Sequence, residues 1–249
     1  MSGHSKWATT KHQKAAKDKV RGKLFAKLIR QVEVAAREGG GDINSNATLR
    51  TMFNKARSAS VPIDTIEKAI KRGTGDLEGV RYEQVTYEGY APNGVAVIVE
   101  TLTDNRNRTG SDVRTIFSKN GGSMAEPGAV AWQFERKGVV ILPKTVGEDD
   151  LMAVALEAGA EDLEDQGDTW QLTSEAADLN GLRDALEESK IAFDSADVTM
   201  LPTQTVPLDN EAAAAKVLKL IDQLEDNDDV QNVYANFDIP DAIIELIEV

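Results

Sequence analysis

The chain of 249 residues has no cysteine, only two histidines and 5% aromatic residues. No apolar run approaches the roughly 18 residues that a membrane span needs. Without cysteine there is no disulfide framework, no thiolate metal site and no cysteine nucleophile, which fits a reducing cytosol. His4 and His12 lie in a polar segment with no carboxylate beside them. They match neither zinc-ligand spacing nor a nucleophile with its base, and read as surface imidazoles that can touch phosphate. The charged start lacks the apolar segment of a signal peptide. Gly39-Gly40-Gly41 follows a helical pattern instead of a strand, the wrong context for a phosphate-cradling loop. These absences point away from an enzyme and imply neither cofactor nor metal.

Charge is abundant, and it is divided. The net charge is -14, with 28 basic and 42 acidic residues. Residues 1–75 hold 16 basic and 6 acidic side chains, a net of +10, which leaves 12 basic and 36 acidic for residues 76–249, a net of -24. The first thirty residues carry nine Lys or Arg against Asp18 alone. Such asymmetry is the mark of a polyanion-binding arm on an acidic body. Nucleic acid is then drawn to one side and repelled from the other. Steering reaches only about 8 Å at physiological salt, so the cations must come close to phosphate. A solvated basic face is the simpler alternative. A membrane-surface arm would need an apolar face, which here would rest on Trp7 and Val20.

The order of elements predicts an α+β fold: an N-terminal helical bundle and two α/β domains of ferredoxin-like type, one inserted into the other. Residues 1–22 have helix formers but no face to bury, so a frayed helix or disorder is expected there until a partner arrives. From Gly22, Phe25, Leu28, Ile29, Val32, Ala35 and Ala36 recur at helical spacing for about four turns. A second stripe holds Leu49, Met52, Phe53 and Ala56; a third begins near Pro62 and runs through Ile63, Ile66, Ala69 and Ile70. After the linker GTGDLEG the period becomes alternating. YEQVTYEGY and GVAVIVETL read as a hairpin, the second strand apolar enough to be covered on both faces. A helix through Val113, Ile116 and Phe117 and a strand in AVAWQF follow. Residues 138–202 then show the order βαββαβ of the ferredoxin-like fold. The last helix, with Val217, Leu218 and Ile221, and the strand VQNVYANFDI have no sheet of their own. They would complete the sheet begun at residue 82. The expected domains are therefore 1–75, a discontinuous 82–134 with 207–249, and an inserted 138–202. The acidic run 225–229 lacks the Gly and terminal Glu of a calcium loop and reads as a turn.

Two stretches are candidates for nucleic-acid contact. One is the arm and first helix, with Lys6, Lys11, Lys14, Lys17, Lys19, Arg21, Lys23, Lys27 and Arg30; Trp7 could stack on a base or pack against the bundle. The other is TLTDNRNRTGSDVR, residues 101–114. Arg106 and Arg108 in a polar loop, hydroxyls at a helix start and Arg114 one turn later suit a phosphate. The same residues also suit a capped turn whose arginines pair with Asp104 and Asp112.

GHSKW at 3–7, AAREGGGD at 35–42, VPIDTIEKAIKRGTG at 61–75 and YEGYAPNGVAVIVETLTDNRNRT at 87–109 closely resemble the YebC family. That family includes bacterial YebC-type proteins and the mitochondrial translational activator of cytochrome oxidase. The likeness runs end to end, with departures at Ala91, where glycine is more usual, and in SMAEPGAVAW. It implies three domains, a bacterial cytoplasmic protein without a transit peptide, and a non-enzymatic regulator of gene expression. Within the family some members are described as DNA-binding transcriptional regulators and others act in translation at the ribosome. The residue types lean toward RNA, because the third helix sets Glu67 beside Lys68 and Lys71, a poor base-reading face. DNA, ribosomal RNA and basic ribosomal proteins all stay open as partners.

Overall fold

The computed structural model describes residues 18–247, with side chains at all of these except 18–21, 241 and 245. Three helices come first: α1 (Asp18–Gly39), α2 (Ala47–Ser58) and α3 (Ile63–Thr74). α1 starts upstream of the expected Gly22, since one glycine among strong helix formers costs only about 1 kcal/mol and does not stop a helix. Leu28, Val32 and Ala36 of α1 meet Leu49, Ala56, Ile66 and Ala69 in a core of their own. Ile63, which the stripe pattern assigns to that core, is instead 45% exposed in the first turn of α3. Gly73 sets the approach of α3 to α1, because a Cβ there would lie 2.4 Å from the Glu33 carbonyl oxygen. Asn46 caps α2 by accepting from the Leu49 N–H, and its amide donates to the carbonyls of Ala35 and Gly40.

The next elements are β1 (Glu83–Tyr90), β2 (Ala96–Thr103), α4 (Arg106–Lys119) and β3 (Ser123–Ala125). β4 (Phe134–Pro143), α5 (Glu148–Glu157), β5 (Ala160–Asp165), β6 (Thr169–Glu175), α6 (Leu179–Glu188) and β7 (Ser195–Pro202) follow. Their antiparallel sheet has the order β5-β6-β4-β7, the ferredoxin-like arrangement. The chain then returns through β8 (Val206–Pro207), α7 (Glu211–Glu225), β9 (Val230–Ala235), β10 (Phe237–Asp238) and α8 (Asp241–Ile247). β9 joins the first sheet, giving β3-β1-β2-β9. β2 is therefore central and buried at every position but Glu100. Val97 and Val99 face α4 and α7, while Ala96 and Ile98 meet Val130 and Phe134 on the other side.

AVAWQF does not form the predicted strand. Ala131–Gln133 is a 3-10 turn, and the strand that starts at Phe134 belongs to the second sheet. The cause is Glu88, buried in β1. Its carboxylate accepts the N–H groups of Gly128 (2.6 Å), Val130 (2.7 Å) and Ala131 (2.9 Å), so these donors are not offered to a ladder. Burial opposes ionisation of Glu88, but the three donors hold its pKa below the ordinary value. Short β3 takes the outer edge of β1 instead.

Candidate nucleic-acid interface

The predicted phosphate contact at residues 101–114 is built differently from the expectation. Arg106 and Arg108 lie in the first turn of α4, not in a loop before it, because Asn105 caps the helix by accepting from the Arg108 N–H at 3.1 Å. An anion does face that turn, and it comes from the same chain. Oδ2 of Asp229, in the turn between α7 and β9, lies 2.9 Å from Arg108 Nη2 and 2.7 Å from the hydroxyl of Thr109. The other oxygen, Oδ1, receives Arg30 Nη1 of α1 at 3.0 Å. Asp104 also pairs with Arg108, at 2.7 Å. Asp229 is only 6% exposed. Burial raises its pKa, and Arg108, Thr109 and Arg30 more than reverse this, so it titrates below the ordinary aspartate value.

Lys23, Lys27 and Arg30 share one face of α1, at spacings of four and three residues, and all three reach the same turn. Lys23 Nζ donates to the carbonyl (2.9 Å) and carboxylate (3.0 Å) of Asp226. Lys27 Nζ donates to the Glu225 carbonyl at 2.7 Å, and Arg30 Nη1 to the Asp228 carbonyl at 2.6 Å. Three cations thus meet the C-terminal end of α7, where the helix dipole is negative. Burial lowers the pKa of Lys27 against the pull of Glu225 and its acidic neighbours. Arg30 also lies over the ring of Tyr82, 5.4 Å from its centroid.

Of the other sequence candidates, Lys6, Trp7, Lys11, Lys14 and Lys17 lie outside the described residues. Lys19 and Arg21 are in the first turn of α1, without described side chains. Arg106 and Arg114 are exposed on α4 and make no ion pair among the described residues. Arg106 stands beside Tyr87, whose hydroxyl donates to the Arg106 carbonyl at 3.2 Å. Arg30, Lys23, Lys27 and Arg108 are thus brought to one acidic turn, and Arg106 and Arg114 are not. Sequence reasoning took residues 225–229 as a turn only and missed their role as the partner of α1. The signal was the facing arrangement of three cations on α1, but nothing local says which carboxylates meet them. Among the described residues no group of His, Asp and Glu is arranged to hold a metal ion, and no helix is long and apolar enough to cross a membrane.

Family models match both parts of this arrangement: the TACO1/YebC protein N-terminal domain over residues 5–76, and the TACO1/YebC second and third domain over residues 82–237. The chain belongs to the TACO1/YebC family. Among TACO1/YebC relatives, a protein of Streptomyces coelicolor named probable transcriptional regulatory protein is 56% identical over 250 residues, covering 100% of both chains. One of the same name from Mycolicibacterium smegmatis is 57% identical over 245 residues, covering 98% of this chain and 97% of its own. The crystal structure of a conserved hypothetical protein from Aquifex aeolicus superposes with a TM-score of 0.80 at 46% identity, covering 89% of this chain and 91% of that one. The mixed α+β architecture is thus shared with that solved structure.

Proposed function

We infer that this chain is a non-enzymatic, nucleic-acid-binding regulator of gene expression in the cytoplasm. Its basic arm and first helix, with Arg106, Arg108 and Arg114 of α4, engage RNA on the ribosome and support translation. The observation that carries this is the division of charge, +10 over residues 1–75 against -24 over the remainder. A cationic end is drawn to phosphate while the acidic body is held off it or turned toward basic ribosomal proteins. In this reading residues 1–75 bind, 82–134 with 207–249 carry the arginines of α4, and the inserted 138–202 keeps an acidic surface outward.

A second reading, a DNA-binding transcriptional regulator, is favoured by the names of the Streptomyces and Mycolicibacterium relatives. Co-sedimentation with ribosomes at ~150 mM salt, a physiological ionic strength, in excess random duplex DNA, separates the two. The translational reading expects wild type to pellet with ribosomes and an arm truncation or the Arg106→Ala, Arg114→Ala double variant to pellet less. If duplex DNA strips wild type from the ribosome, the transcriptional reading takes its place.

A further inference from the structure

The helical unit meets the rest of the chain through polar contacts. Its apolar core of α1, α2 and α3 residues shares no member with the other clusters among the described residues. Besides the three α1 cations, its ties include the Arg37 bond to the Val80 carbonyl in the connecting segment, the Arg30–Tyr82 stack, and the Lys55–Asp197 ion pair. The connection from Gly75 to Arg81 is exposed throughout, with Gly75 left-handed at φ 86°. An interface of charge without a shared apolar core holds two units together weakly and yields to competing ions.

What α1 meets in that interface resembles a phosphate run. Carbonyl and carboxylate oxygens of Glu225, Asp226, Asp228 and Asp229 accept from Lys23, Lys27 and Arg30 along one face of the helix, and Asp229 takes the place at the start of α4 that an anion would take. We propose that the 225–229 turn acts as an internal phosphate mimic, covering the polyanion-binding face of α1 until a nucleic-acid backbone displaces it and the helical unit swings away. This rests on the nucleic-acid reading above and adds to it a closed state and an open one. Asp229 stays with its own sheet through Thr109 and Arg108, so the cations of α1 are the groups that change partner. The transfer conserves charge pairing, which lets opening follow binding without leaving lysines unpaired.

The full-length chain is suited to the test, because with no native cysteine it takes labels only where they are placed. Ser58→Cys on α2 and Ser118→Cys on α4, both exposed, would carry a donor and acceptor dye. Poly(U) RNA is the probe. On saturation, transfer efficiency falls. An Asp226→Asn, Asp228→Asn variant, which removes the Lys23–Asp226 pair and a second negative charge beside it, binds poly(U) roughly 1.4- to fivefold tighter, from one surface pair at its usual strength, and shows lower transfer before RNA is added. Glu157→Gln with Glu188→Gln, exposed acids on α5 and α6, makes the same change of net charge far from the turn and leaves affinity close to wild type. Equal tightening by both double variants, or unchanged transfer at saturating poly(U), overturns the mimic and leaves the nucleic-acid reading standing. Failure of wild type and every variant to bind poly(U), duplex DNA or ribosomes removes that reading and the mimic with it.

Discussion

The hydroxyl of Thr109 stands 2.7 Å from Oδ2 of Asp229, a residue 120 positions further along the chain. Both are buried, and the pair fastens the first turn of α4 to the turn that ends α7. Thr109→Val keeps the shape of the side chain and removes the donor. It should lower stability by about 1–3 kcal/mol, the range for a buried partner left unsatisfied, read as a shift of the urea midpoint at unchanged slope. Thr109→Ser should restore most of the loss.

Acid should weaken the fold through two carboxylates. Asp229 and Glu88 both have folded pKa values below their ordinary ones. A depressed folded pKa means that the unfolded chain binds more protons. Stabilisation is therefore complete above the unfolded values of about 3.9 and 4.3 and is lost as pH falls through the folded ones. Melting temperatures of wild type and Asp229→Asn should differ near neutrality and converge as pH falls below the unfolded value of about 3.9 and through the lower folded one.

Gly73→Ala should destabilise the helical unit, because the methyl group would lie 2.4 Å from the Glu33 carbonyl and 2.8 Å from Ala36 Cβ. Backbone cannot yield cheaply, and about 1–3 kcal/mol is expected for such overpacking. Gly22→Ala in the same fold is the contrast. A Cβ there meets nothing within 4 Å, so helix propensity should add up to about 1 kcal/mol. Thermal unfolding followed by circular dichroism reads both signs.

Glu88→Gln should loosen residues 128–131, whose N–H groups converge on the two carboxylate oxygens. Charged acceptors are worth roughly 1.5–3 kcal/mol each, and an amide has only one oxygen to offer. Hydrogen exchange at the Gly128, Val130 and Ala131 amides should quicken while exchange in β5 and β6 is unchanged.

The sequence made some of this legible and hid the rest for identifiable reasons. A near-continuous apolar run made β2 readable as a central strand, and the βαββαβ order made the second sheet readable, because both signals are periodic and local. AVAWQF reads as a strand because its apolar residues fit one, while Glu88, 42 and 43 residues upstream, takes the N–H groups of Val130 and Ala131. The start of α4 shifted because Asn105, and not a later hydroxyl, is the cap. Least legible was the partner of Lys23, which lies 203 residues away. Their helical spacing shows that the α1 cations act together, but only the fold determines whether they face solvent, phosphate or a carboxylate.

The position of β9 sets an order of events during synthesis. A ribosome releases the helical unit first and the β4–β7 sheet next, each able to close on contiguous chain. β2, apolar on both faces, waits with one edge bare until residues 230–235 emerge at the far end of the chain. An unpaired apolar edge is the feature by which nascent chains stick to one another. Chains arrested before Val230 should therefore form aggregates in pelleting assays, while those that reach Ile247 should not. Residues 230–235 act as the clasp that makes the newborn protein safe.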